Sequence, residues 1–370
     1  MTYPTIDYFL CDYEEVLRRI DAIDPRTYDS TRNYLNGSVT WLGPFVTHGI
    51  IDTSLVAHRL LNQYSAEQCN RFLFELAWRE YFHRVWQQRG DGIFENIRAQ
   101  AGLQQDDILH VNPPAALLSA HTGIDVIDEC VSHLVTNGVM HNHARMWTAS
   151  LACNIGKSHW QAPAKWMHYH LLDGDLASNS LSWQWVAGTF SNKRYIANQD
   201  NINKYSGQIQ QGTFLDHSYE SLATNSVPAN FQERSEFKYD LTMPATKLAI
   251  HGNSLAIRSL WNLDPSWQPS VDQEIVFVDV NQYQHWPMSP NRWRFVQHWT
   301  NFIPDLEIMC GSVDELERAC GDKEVYCREY PLTSTWFDDL EPRNWLYHHP
   351  EKAFNSFFAF WKQVKRDVGL

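Results

Sequence analysis

Apolar residues recur at helical spacing through most of the chain, so the pattern predicts helices first. Residues 11–21 (CDYEEVLRRID) read as one amphipathic helix. Residues 65–89 predict a longer one, opened by Ser65 with Gln68 at capping-box spacing. Its apolar positions include Phe72, Leu73, Leu76, Trp78 and Val85. Further helices are predicted over 122–137, 140–154, 161–172 and 178–187, separated by Gly, Pro or Asn. Little period-2 alternation precedes roughly residue 245, so the first two thirds read as all-α.

The pattern then changes. Residues 274–280 (EIVFVDV) form a continuous apolar run of strand length. Residues 289–303 follow as a helix, with Trp293, Val296, Trp299, Phe302 and Ile303 near helical spacing. Residues 306–310 predict a second strand, 312–320 a helix and 324–328 a third strand. Strand and helix in alternation predict a small parallel α/β layer. Pro228, Pro244 and the polar residues around them mark the boundary. The expected organisation is a helical domain over 1–240 and a small, Rossmann-like α/β domain over 241–370.

Composition changes the picture in three ways. No run of 18 apolar residues exists, so no membrane span is expected. The first residues, MTYPTIDYFLCDYEEV, lack a basic leader before an apolar stretch, so no secretory signal is expected. Seven scattered cysteines without a C-x-x-C argue for reduced thiols, hence a cytoplasmic location, and against a zinc ribbon. The net charge of −13 argues against a nucleic-acid partner at first reading. Residues 141–210 reverse that locally, with six basic against three acidic groups.

Several motifs carry little. There is no G-x-G-x-x-G and no Walker A. Gly252-Asn-Ser254-Leu-Ala256 only half-matches a nucleophile elbow and lacks its preceding strand. His141-Asn142-His143 and His168-x-His170 lack the ligand context of a metal centre, and no metal is expected. Segment 140–187 carries more. Arg145 on one helix, Asp173 and Asp175 around Gly174, Asn179 on the next helix, then Trp183 and Trp185 describe a polar pocket between helices. On these residues alone, a helix cap beside core tryptophans is an equal reading.

This segment resembles the FAD-binding domain of the photolyase/cryptochrome family, most closely its cyclobutane-dimer photolyases. Three further stretches agree in order and spacing. Phe72-Leu-Phe-Glu75-Leu-Ala-Trp78-Arg79-Glu80-Tyr81 is similar to the family's ELxWREF helix. Thr122-Gly123-Ile-Asp-Val-Ile-Asp128 is similar to TGxPxxDAxM, and Leu42-Gly43-Pro44-Phe45-Val46-Thr47-His48-Gly49 to LSPYLxxG. The resemblance covers roughly residues 25–200.

The resemblance implies non-covalent FAD, reduced as FADH⁻ in the active form. It places Phe72, Arg79, Asn142, Arg145, Asp173, Gly174, Asp175 and Asn179 around the cofactor. Tyr28 with Arg32, and the turn Val39, Thr40, Trp41, Leu42 and Gly43, fall where the family holds the phosphates. The implied substrate is DNA containing pyrimidine dimers, split by an electron from the excited flavin. Glu75, Met146 and Asn179 are then the catalytic candidates. Trp78, Asn142, Trp185, Lys193 and Arg194 join Glu75 and Met146 as DNA contacts, with Lys157 and Lys204 on the same basic rim. Trp183 and Trp160 match the first two members of an electron relay, and the third falls near Leu109, where no tryptophan stands. The implied alternative is a cryptochrome-like blue-light photoreceptor without repair, and a monomer is expected.

One departure concerns order. Family members begin with a Rossmann-like domain that can hold an antenna pigment, whereas here the α/β region comes last. That region reads equally as a rearranged counterpart of the antenna domain or as an unrelated α/β cap. Nothing in it identifies an antenna pigment.

Overall fold

A computed structural model describes residues 3–101, 109–347, 352–354 and 356–368. Among them, no helix is long and apolar enough to cross a membrane. Contacts divide the chain into two compact units that cross the boundary expected at 240/241. The first contains residues 1–5, 24–39 and 85–238, and the second 6–23, 40–84 and 239–370. Residues 6–23 and 40–84 therefore count with the α/β region, which no local pattern in the sequence announces.

The first unit is helical. Asp125–Asn137, Asn142–Ser150, Gln161–His170 and Leu176–Ala187 are its main helices. The expected helix over 140–154 is thus shorter, and its last turn, Leu151–Ile155, widens into a π-helix. Asp128 explains the start of Asp125–Asn137. Its carboxylate accepts from the Thr122 N–H and hydroxyl and from the Gly123 N–H, tying the TG turn to the helix it precedes. Trp147 and Trp166 are fully buried in this unit.

The second unit holds a five-stranded parallel sheet. Its strands are β1 (Thr246–Lys247), β2 (Ser254–Arg258), β3 (Gln273–Asp279), β4 (Glu307–Gly311) and β5 (Glu324–Cys327), in the order β1-β4-β3-β2-β5. Ile275, Val276, Phe277 and Val278 are all buried, as both faces of a central parallel strand require. The pattern predicted β3, β4 and β5 but not β1 or β2. Only Leu255, Ala256 and Ile257 are apolar in β2, and pairing with β3 on one side and β5 on the other makes them a strand. Ser254 opens that strand instead of following one, so it has no elbow geometry.

Three helices follow from capping and periodicity. Ser65 and Gln68 exchange the two capping-box hydrogen bonds, at 2.9 and 3.3 Å, to open Ala66–Arg89. Ser312 and Glu315 do the same for Val313–Cys320. Pro290–Thr300 starts at a Ser289 cap with Pro at its first position. A further helix, Phe357–Val368, was not predicted. It turns Phe357, Phe360, Trp361 and Val364 inward and leaves Phe358 exposed.

Candidate flavin site

Helical spacing builds the site in the first unit. On helix Asn142–Ser150, Asn142, Arg145, Met146 and Ala149 share one face, three and four residues apart. On helix Leu176–Ala187, Ser178, Asn179, Ser182, Trp183 and Val186 do the same. These faces, with Met167, Leu171, Asp173 and Asp175, line one cavity of about 100 Å³. Sequence reasoning named most of the polar members. It missed Ser178 and Ser182, although both lie on the Asn179 and Trp183 face and the helical period alone would have found them.

Each polar residue has a job. Arg145 donates through Nη2 to both oxygens of Asp173, at 2.9 Å each, and through Nε to the Met140 carbonyl at 2.8 Å. These three bonds lock the guanidinium plane at the cavity wall. The pair is not fully desolvated, since its side chains are 24% and 21% exposed. Asp175 caps helix Leu176–Ala187 by accepting from the Ser178 N–H at 2.7 Å. Asn179 donates through Nδ2 to the Ala164 carbonyl at 2.9 Å, which fixes the amide so that its oxygen is the acceptor left for a bound group. His141 caps helix Asn142–Ser150, its Nδ1 accepting from the His143 N–H at 3.1 Å. Burial, then the nearby His143 and Arg145, push its pKa down to about 4. Burial also lowers His143 and Lys165.

One observation tests the fit of a polar ring at this cavity. The Ser178 hydroxyl is buried with no hydrogen-bond partner. That atom is closed off from the cavity; a ring edge bound there would meet instead the fixed cation of Arg145 and the amide oxygen of Asn179. About 100 Å³ takes only part of a dinucleotide, since whole-ligand pockets run to roughly 300–1,000 Å³.

Other expected site residues lie outside this cavity. Tyr28 sits in the first unit on helix Pro25–Thr31. Thr40, Trp41, Leu42 and Gly43 belong to the second unit. There Trp41 has φ of 53°, a left-handed conformation that costs a non-glycine residue about 1–3 kcal/mol and tends to persist where function requires it. Phe72, Glu75, Trp78 and Arg79 share helix Ala66–Arg89 in that unit. Glu75 pairs with Arg71 at 2.8 Å. The Trp78 indole lies flat on Phe357, with centroids 3.6 Å apart and planes 8° apart. Gly174 is buried between the two aspartates of the first unit.

The basic rim is uneven. Lys193 and Lys204 are exposed, while Arg194 and Lys157 are half-buried. Trp185 is 38% exposed, beside Tyr195 at 5.9 Å. Trp183 and Trp160 are both buried, and the Trp160 indole N–H donates to Asn96 at 2.7 Å.

Comparison with known proteins bears on this region. Residues 72–226 match the FAD binding domain of DNA photolyase. The deoxyribodipyrimidine photo-lyase of Streptomyces griseus is 31% identical over 168 residues, which are 45% of this chain and 36% of that protein. The cryptochrome DASH of Synechocystis sp. is 28% identical over 204 residues, 52% of this chain and 40% of that protein. The crystal structure of a Synechocystis sp. cryptochrome aligns at 22% identity and TM-score 0.46, over 52% of this chain and 43% of that one. The chain therefore spans well under half the length of the relatives it matches. Residues 72–226 are thus similar to the FAD-binding domain of the photolyase/cryptochrome family.

Proposed function

We propose that the protein is a light-dependent DNA-repair flavoprotein, a lyase that splits cyclobutane pyrimidine dimers. One observation carries this reading. Asn142, Arg145, Met146, Asp173, Asp175, Asn179 and Trp183 converge on one cavity within the segment that matches a photolyase FAD-binding domain. Relatives named deoxyribodipyrimidine photo-lyase support it.

Reduced FAD would supply, on absorbing blue light, the electron that opens the dimer. The chain's residues do the rest. Arg145, oriented by Asp173, would place positive charge beside a bound flavin and favour its anion. Asn179 offers an amide oxygen and no titratable proton. Tyr28, Thr40, Trp41, Leu42, Gly43, Phe72 and Arg79 are proposed to hold the rest of the cofactor. A dimer must leave the duplex stack, which costs a few kcal/mol. Glu75 is proposed to accept from the flipped bases, with Trp78, Trp185, Asn142 and Met146 around them. Lys193 and Arg194 would take the phosphates.

The test is illumination of reduced protein with a dimer-containing oligonucleotide, counting restored thymines. Restoration that requires light and reduced flavin supports the reading. A flavin-loaded protein that restores none refutes it.

A specific observation favours a second reading. Phe357 stacks flat on Trp78, so the indole proposed to wall a flipped base is already covered by a ring of the same chain. A cryptochrome-like photoreceptor needs no access to that face, and relatives named cryptochrome DASH accord with this.

A further inference from the structure

Helix Phe357–Val368 belongs to the second unit and lies outside residues 72–226. Its periodicity separates two faces. At about 100° per residue, Phe357, Phe360, Trp361 and Val364 fall on one side, and all four are buried. They pack on helix Ala66–Arg89. Phe357 lies flat on Trp78, Phe357 and Trp361 meet Phe74 edge-on at 4.9 and 5.3 Å, and Phe360 stacks beside Tyr81 at 5.8 Å. The apolar side is therefore already occupied by the protein's own core.

The other side faces solvent. Phe358, Lys362, Lys365 and Arg366 fall within about 100° of one another around the axis. Phe358 is 71% exposed, Lys362 and Arg366 are exposed, and Lys365 is half-buried. Among the described residues none of these three cations has an ion-pair partner. The chain as a whole is acidic, at −13, yet residues 352–370 carry four basic groups against one acidic.

The combination selects a partner. A lone exposed ring is ordinary. A ring followed on the same face by three unpaired cations, the last about 12 Å further along the axis, is the pairing that holds an unpaired nucleic-acid strand: a base stacks on the ring and phosphates meet the cations. A duplex keeps its bases stacked on each other and leaves Phe358 unused. A lipid surface draws on the apolar side of an amphipathic helix, and here that side is docked. A single strand uses both groups.

We propose that this face binds single-stranded nucleic acid, with a base stacked on Phe358 and up to three phosphates held by Lys362, Lys365 and Arg366. The site needs neither flavin nor a pyrimidine dimer, so it stands apart from the function proposed above.

The test is fluorescence polarisation of a labelled, undamaged oligo-dT with flavin-loaded protein in the dark, from about 50 to about 200 mM salt. Saturable binding is expected. Phe358→Ala should weaken it about fivefold or more with the salt slope unchanged, and Phe358→Trp should retain it. The triple change Lys362→Ala, Lys365→Ala and Arg366→Ala should flatten the slope by up to about two counterions, at roughly 0.7 per phosphate on a single strand. None of these side chains is buried, so the melting temperature should not move. Four results overturn the proposal: no oligonucleotide binding at about 50 mM salt; binding that Phe358→Ala and the triple variant both retain and that Lys193→Ala with Arg194→Ala removes; a duplex of the same length bound more tightly than the strand; or capture by phosphatidylserine vesicles without binding of the oligonucleotide.

Discussion

Acid should loosen the candidate flavin site through one imidazole. His141 is buried and caps the helix that carries Asn142, Arg145 and Met146, accepting from the His143 N–H through Nδ1. A protonated ring cannot accept that bond. Its pKa is about 4 in the folded chain, against 6.5 for an ordinary histidine, chiefly because burial disfavours the charge. Between these values the unfolded chain holds a proton that the folded one does not. Stability is therefore fully present above pH 6.5 and drains as the pH falls towards 4. The gap converts to about 3 kcal/mol at the bottom of that window. His141→Asn keeps a good capping side chain and removes the titration. Any cavity it leaves destabilises equally at all pH values. Urea unfolding of both proteins near pH 7 and near pH 4.5 is the assay. The wild type should lose about 2.5 kcal/mol more than the variant across that interval. His170, also pushed by burial to about 4, titrates in both proteins and cancels in the difference. Equal losses in the two proteins would falsify the reasoning.

Other predictions follow from the same geometry. Asp173→Asn should release Arg145 from its forked pair; at roughly a quarter exposure the loss lies between surface and buried limits, about 2 kcal/mol, and bound flavin should fall measurably by absorbance. Phe357, only 3% exposed, should cost about 3–4 kcal/mol as Phe357→Ala in a denaturant titration, and if it screens Trp78 the variant should bind dimer-containing DNA more tightly than wild type. Trp183→Phe should abolish steady photoreduction under blue light with a thiol, while repair by dithionite-reduced protein survives; photoreduction intact in the variant would exclude this relay. Lys193→Ala with Arg194→Ala should flatten the salt dependence of DNA binding by up to about two counterions, and an unchanged slope would move the rim elsewhere.

Local pattern was legible where local physics decides. The capping boxes at Ser65 and Ser312, the apolar run of β3 and the 3.6-residue spacing of Asn142, Arg145 and Met146 all act over one or two turns of chain. Four short motifs in order likewise led to the family that residues 72–226 match. Sequence alone therefore determined the helices that line the candidate site and much of the polar set upon them.

Tertiary structure decided what depends on distant partners. β2 is a strand because β3 and β5 flank it, and Leu255, Ala256 and Ile257 alone are too few to declare it. The compact units change over at 238/239, beside the proline-marked boundary, but residues 6–23 and 40–84 join the α/β region through contacts made far along the chain. Trp78 reads from sequence as an open wall, yet a ring 279 positions later lies flat on it. The unpartnered donors of Trp261 and Asn262 are equally invisible in sequence, since a polar group becomes an orphan only when folding removes its water and supplies no substitute.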